Sequence, residues 1–474
     1  MRYLSTRDGR PQPALRSFED ILLAGLAEDG GLFVPETVPT LDADALRGFA
    51  GLPYAELCAR VVELFAGGAF AGDELRQLAD TAYSGFRQAA VAPLVQLDER
   101  LWLLELFHGP TLAFKDLALQ LVGLMFDAVL ARRAERVTII GATSGDTGSA
   151  AIAACRDRAA LDIFILYPHG RVSEVQRRQM TTVAAENAQA LAIEGTFDDC
   201  QDLVKALFAD PALRRDLSLS AVNSINFARI AAQIVYYVAA AVALGAPARP
   251  VSFSVPTGNF GNVYAGHLAR TLGVPIERLV IGTNENDILA RYLAADDMSI
   301  ADVTPSLSPS MDIQVASNFE RLLFELKGRN GAAVTEAVQA FRRDRALPKD
   351  PQAWRRARGL FSGHRVDDAA TLRTIGETYA RSGQLIDPHS AVGVAAARAE
   401  LAADDSATPM VALACAHPAK FPDAVERATG IRPALPPALA DLMERPERIT
   451  ILPNDASAVA KYLRAHARRT AKAA

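Results

Sequence analysis

The chain has 474 residues, half of them hydrophobic and 22% charged, and its 50 Lys+Arg against 55 Asp+Glu leave a net charge of −5. That length suits two or three domains with a large core that needs no disulfide or metal staples. The mildly acidic balance speaks against a surface built to neutralise nucleic-acid phosphates, and the composition excludes collagen-like, disordered and disulfide-scaffold chains.

The first 92 residues read mostly as helix. Ser17-Phe18-Glu19-Asp20 can open one helix, with Ile21, Leu22, Leu23 and Leu26 on its apolar side. Gly30-Gly31 breaks that pattern, Pro35, Pro39 and Pro53 punctuate the next stretch, and 54–65 and 73–88 return to helical spacing. From residue 94 the pattern becomes α/β. Apolar runs at 101–107, 137–141, 161–167, 190–194, 251–255 and 278–282 predict buried strands. Helical stretches at 116–133, 147–158, 172–184, 198–209 and 226–244 lie between them. This alternation predicts a parallel sheet covered on both faces, with ligands at the carboxyl ends of its strands.

The expected division is a helical N-terminal domain over 1–92, a two-lobed α/β body over 93–430 and a helical C-terminal segment over 431–474. The Ala-rich stretch Ile230–Ala246 contains Gln233 and follows Arg229, which predicts a buried helix rather than a membrane span. Six arginines between Phe341 and Arg358 suggest a solvated helix face, and the basic stretch Arg464–Lys472 a frayed end. Cys58, Cys155, Cys200 and Cys415 are far apart and form no Cys-x-x-Cys pair. No metal site, nucleic-acid partner or membrane partner is therefore expected, and with no signal-peptide pattern the expected location is cytoplasmic.

Three strand-to-helix junctions carry the chemistry. In His108-Gly109-Pro110-Thr111-Leu112-Ala113-Phe114-Lys115-Asp116, Lys115 stands at a helix start beside Phe114. Withdrawal from water disfavours an ammonium, and a neutral amine is a nucleophile for carbonyl groups. Gly141-Ala142-Thr143-Ser144-Gly145-Asp146-Thr147-Gly148 offers hydroxyls and N–H groups to a carboxylate or phosphate. It is neither a Walker A nor a G-x-G-x-x-G sequence, so it does not point to a nucleotide. Pro256-Thr257-Gly258-Asn259-Phe260-Gly261-Asn262 has the glycines a phosphate cradle needs. Each junction alone also fits an ordinary capped turn.

Together they resemble the pyridoxal-phosphate enzymes of fold type II, and longer stretches narrow the resemblance to the threonine synthases of the longer bacterial and fungal type. The stretches are Tyr3-Leu4-Ser5-Thr6-Arg7, Asp29–Pro35 (DGGLFVP), HGPTLAFKD at 108–116 and GATSGDTGSAA at 141–151. They continue with NSINFAR at 223–229, SMDIQVASNFERLLF at 310–324, DPHSAVG at 387–393 and AHPAKF at 416–421. The resemblance implies a two-lobed, parallel-sheet body similar to the tryptophan synthase β chain. It also implies conversion of O-phospho-L-homoserine and water into L-threonine and phosphate.

By matching positions, Lys115 is the Schiff-base and acid/base lysine, and Gly258, Asn259, Phe260, Gly261 and Asn262 wrap the cofactor phosphate. Thr143, Ser144, Thr147, Asn223, Ser224 and Arg229 bind substrate, Arg229 through a planar fork on phosphate. Asp146 stands where related enzymes often carry Asn near the cofactor's ring oxygen, so a carboxylate there is expected to be protonated or to share a proton. Cys415 replaces the family's Ser/Thr facing the pyridine nitrogen, which implies a neutral ring nitrogen. His108 and His417 are further polar candidates whose plain reading is structural. A serine/threonine dehydratase of the same fold and a silent, non-catalytic homologue are the competing readings. Arg229 speaks against the first and Lys115 against the second. The oligomeric choice between monomer and homodimer stays open.

Overall fold

The computed structural model describes residues 1–220, 225–404 and 406–468. Ser17 opens helix Phe18–Ala24 as a full capping box with Asp20, and helices Tyr54–Ala66 and Glu74–Tyr83 complete the helical N-terminal region. That region also holds a small antiparallel ribbon, β1 (Tyr3–Ser5) with β2 (Phe33–Pro35), too short to show a period in sequence.

The body has two sheets. In chain order the remaining strands are β3 (Leu94–Gln96), β4 (Leu101–Glu105), β5 (Val137–Ala142), β6 (Leu161–Pro168), β7 (Ala188–Glu194) and β8 (Leu219–Ser220). They continue with β9 (Val251–Pro256), β10 (Ile276–Thr283), β11 (Phe361–Arg365), β12 (Met410–Ala414) and β13 (Thr450–Pro453). One sheet runs β11-β10-β9-β12-β4-β3, parallel except for the edge pair β3–β4. The other runs β13-β7-β6-β5-β8 and is parallel throughout. All six predicted strands are present. The chain thus has the mixed α/β, two-sheet form of fold type II with a helical N-terminal region.

Every residue of β6 is buried, which is why a parallel strand reads as an unbroken apolar run. Its one charge, Asp162, is met by Arg468 at 2.5 Å. The predicted helix after residue 226 is Phe227–Ala243, and it is buried along nearly its whole length. No helix among the described residues is long and apolar enough to cross a membrane. The arginines between 341 and 358 are exposed, as a solvated face requires.

The C-terminal segment differs from the expected all-helical end. β13 lies within 431–474 and extends the five-stranded sheet beside β7, before helix Ala456–His466. Four residues, Thr450-Ile451-Leu452-Pro453, are too few to display alternation, so the edge of β7 makes them a strand. The basic end is held as far as Arg468 by its bond to Asp162; residues 469–472 lie outside the described residues.

Helices Lys115–Arg133 and Asp146–Cys155 each begin with a residue of the site, and they meet at Gly123. A Cβ there would stand 2.7 Å from the Ala154 carbonyl oxygen, so the two backbones touch. Gly123→Val is therefore expected to cost about 1–3 kcal/mol of stability, as overpacking does. Urea denaturation of variant and wild type checks this.

Candidate active site

The order β9-β12-β4 places three strand ends side by side. β4 leads to Lys115, β9 to Gly258–Asn262 and β12 to Cys415, while β5 of the other sheet leads to Asp146. Chain-distant loops are thereby gathered between the sheets. The turn carrying Lys115 is tied to the end of β12: Phe114 N–H donates to the Cys415 carbonyl at 2.8 Å, and Ala113 pairs with Ala416.

Lys115 begins its helix, is buried, and holds its Nζ 4.8 Å from the centroid of the Phe114 ring. The same Nζ lies 3.3 Å from Asp146 Oδ2. Asp146 Oδ1 accepts from Lys420 Nζ at 2.7 Å and from Gln176 Nε2 at 2.9 Å. Gly145 makes room for this contact, since a Cβ there would meet the Gln176 side chain. Burial pushes the Asp146 carboxyl up, but Lys420, Lys115 and His389 together hold it well below the usual carboxylate range. Asp146 thus faces two buried lysine side chains, Lys115 at one carboxylate oxygen and Lys420 at the other.

Lys420, in the AHPAKF stretch, joins this cluster with no role implied by the resemblance. A lysine enclosed by Pro418, Ala419, Phe421 and Pro422 is a signal of burial with a purpose. Ser310 and His389 were likewise inside quoted stretches but unassigned. His389 Nδ1 faces Asp387 Oδ2 at 2.7 Å, and its Nε2 accepts from Ser310 N–H at 3.2 Å. Ser310 Oγ reaches Asp146 Oδ2 at 3.5 Å.

The loop 258–262 has the form of an anion cradle. Phe260 adopts a left-handed conformation (φ 63°) and packs on Phe319 and Phe361. Asn259 gives its carbonyl to Asn318, and Gly258 lies so close to Ser310 O and Met311 that a Cβ would stand 3.1 Å from the former. Helix Gly261–Leu272 starts here, so its first-turn N–H groups lack helical partners. Tyr236 and Tyr237 hydroxyls donate to Asn262 Oδ1 at 2.5 and 2.8 Å, while the buried Asn262 Nδ2 has no partner among the described residues.

Thr143 Oγ1 accepts from Gly145 and Gly148 N–H, so it shapes its own loop. Ser144 and Thr147 are half-buried at the start of helix Asp146–Cys155, where the helix dipole favours an anion. Arg229 is buried. Among the described residues its Nε and one terminal nitrogen have no partner, and burial pushes its guanidinium down to about 10. Asn223 and Ser224 lie outside the described residues.

Cys415 is buried. Its Sγ is 3.9 Å from the Leu413 carbonyl, and its N–H donates to Ser390 Oγ at 2.9 Å. Burial pushes its thiol well up, so it stays protonated. His108 Nε2 meets Glu105 at 2.7 Å. Burial, with Arg87 and His108 nearby, pushes His417 down to about 4, which leaves it neutral and accepting from Ala419 N–H. Both histidines hold the surrounding loops.

Asp116, next to Lys115, fixes the turn that presents it by accepting from the Thr111 N–H at 2.8 Å and the Thr111 hydroxyl at 2.7 Å. Burial raises its carboxyl to about 6 despite those bonds and the Lys420 charge. The folded state thus keeps a proton that the unfolded chain releases, so stability falls as pH rises from about 4 to about 6. Asp116→Asn should flatten that slope, the two proteins diverging by about 3 kcal/mol across the window. Denaturation midpoints measured over that pH range check it.

These residues fit pyridoxal phosphate on their own terms: a buried amine, a glycine cradle at a helix start and an orphaned buried amide. Comparison with known proteins agrees. Residues 2–83 match the threonine synthase N-terminus, 87–343 the pyridoxal-phosphate-dependent enzymes, and 390–463 the threonine synthase C-terminal family. The chain is 55% identical over 470 residues to the threonine synthase of Pseudomonas aeruginosa, covering 99% of each. A pyridoxal-phosphate-bound threonine synthase structure from Brucella melitensis superposes with a TM-score of 0.95 at 50% identity, over 99% of this chain and 100% of that one. The yeast threonine synthase structure gives 0.93 at 39% identity over 98% of each chain. Matched from its N-terminal helices through both sheets to its final helix, the chain belongs to the threonine synthase family of pyridoxal-phosphate-dependent enzymes.

Proposed function

We propose that the enzyme converts O-phospho-L-homoserine and water into L-threonine and inorganic phosphate with the residues assembled here. The observation that carries this reading is Arg229, a buried guanidinium with no counter-charge among the described residues. A buried unpaired cation is costly, and a doubly charged phosphate satisfies it through a planar fork. Its helix reaches the cofactor loop through Tyr236, two turns further on the same face, whose hydroxyl holds Asn262. A β-elimination of an unphosphorylated substrate has no use for this second anion site.

Pyridoxal phosphate supplies an aldehyde that captures amines and a ring that takes up the electrons freed when a Cα proton leaves. Lys115 holds the cofactor, and the Gly258–Asn262 loop with Asn262 Nδ2 receives its phosphate. Once free, the Lys115 amine takes the substrate's Cα proton and is placed to return protons during the later steps. Ser144 and Thr147, at a helix N-terminus, receive the substrate carboxylate. Arg229 grips the phosphate that leaves from Cγ, and burial of the site limits which water reaches Cβ. Cys415 would face the cofactor ring as a neutral thiol. The C-terminal segment 431–474, by completing the second sheet, supports a catalytic body that we place at 93–430 above an N-terminal unit of 1–92. Four buried free cysteines accord with a cytoplasmic location.

Purified enzyme given phosphohomoserine should release threonine and phosphate in equal amounts, and Lys115→Ala should abolish both. Phosphate release without threonine, or full activity in the variant, would refute the assignment. Arg229→Met should raise KM for phosphohomoserine about 10–100-fold, the loss expected of a charge-assisted phosphate contact. Steady-state kinetics at saturating cofactor measure this.

A further inference from the structure

Lys420 is wholly enclosed, with no exposed side-chain surface, and burying an ammonium costs several kcal/mol. A methionine would fill comparable volume without that cost, so packing does not account for it. Its Nζ makes two contacts, one to Asp146 Oδ1 at 2.7 Å and one to the Thr111 carbonyl at 2.8 Å.

The two oxygens of Asp146 are held differently. Oδ1 is clamped by Lys420 and Gln176 at 2.7 and 2.9 Å, whereas Oδ2 faces Lys115 and Ser310 at 3.3 and 3.5 Å. Among the described residues, Asp146 is the one carboxylate in ion-pair contact with either lysine. Two ammonium groups around one carboxylate carry a surplus positive charge while Lys115 is protonated. The pair Asp146–Lys420 balances by itself once the Lys115 nitrogen carries no charge. Without Lys420, that same moment would leave Asp146 a buried and uncompensated anion.

We propose that Lys420 is a positioning residue: its ammonium is the standing counter-charge of Asp146, keeping that carboxylate ionised and aimed while Lys115 surrenders its own charge. This rests on Lys115 being the reactive amine. The titratable groups facing Asp146 are Lys115 at the start of helix Lys115–Arg133, Lys420 in the turn Pro418–Lys420, His389 in helix Pro388–Ala402 and the Cys415 thiol after β12. Lys420 also faces Asp116, which is committed to Thr111, and His417.

The test uses the cofactor-free full chain and removes the Lys115 charge by substitution. Thermal midpoints are compared for Lys115→Ala, Lys115→Ala/Lys420→Met and Lys115→Ala/Lys420→Met/Asp146→Asn. At about pH 8 the loss of Lys420 should lower the midpoint by about 2 °C or more, and Asp146→Asn should restore at least half of the drop. At about pH 5 the drop should shrink, because a buried carboxylate deprived of Lys420 takes up a proton there. If the double variant fails to fold, recovery of folding in the triple variant supports the proposal equally. No drop at pH 8, or a drop that Asp146→Asn does not relieve, overturns it and leaves Lys420 as a prop for Thr111. No turnover is measured, so this result stands apart from the threonine and phosphate assay that tests the reaction itself.

Discussion

One carboxylate between two buried ammonium groups joins the halves of this enzyme. Asp146 comes from the five-stranded sheet, while Lys115 and Lys420 come from the loops of the six-stranded one. Such a cluster is tolerable only if each charge keeps its partner, because an unpaired buried ion costs more than a pair returns. The relative position of the sheets, the turn at Thr111 and the presentation of the reactive amine therefore depend on a single set of contacts. The closely packed helices that start at Lys115 and Asp146 give that set a firm base.

The remaining network serves the same end. Asp387 orients His389 and bonds Ser390; His389 receives the Ser310 N–H, and Ser390 receives the Cys415 N–H. One buried carboxylate thus ties the segment lying over the Gly258 loop to the strand end that carries Cys415. Tyr236 and Tyr237 do a similar service for Asn262, spending its oxygen so that its nitrogen remains open. Among the described residues, Asn262 Nδ2 and two nitrogens of the Arg229 guanidinium are buried without a partner. Such local donors, not the net charge of −5, set the field around them in an overall acidic protein.

Much of this was legible in the residues. Apolar runs such as Leu161–Tyr167 announced buried parallel strands, since both faces of such strands are covered. The glycine-bearing junctions at 141–148 and 256–262 announced loops at strand ends. The roles proposed for Lys115 and Arg229 come chiefly through resemblance, because a lone lysine at a helix start or an arginine in a helix carries little local mark of a role. The ribbon β1–β2 and strand β13 were not legible: three or four residues carry no period, and pairing with a distant neighbour makes them strands.

The sequence by itself determined the α/β order, the three chemical junctions and, through its ordered motifs, the family. Those properties are local: periodicity, turn chemistry and residue identity do not depend on distant contacts. The tertiary structure alone decided that β12 lies between β9 and β4, bringing Cys415 and Lys420 to Lys115 across some 300 positions of chain. It also decided which groups face Asp146, namely Lys115, Lys420, Gln176 and Ser310. The outcome of burial depends on which ions are buried alongside, and only the fold supplies that second lysine at 2.7 Å.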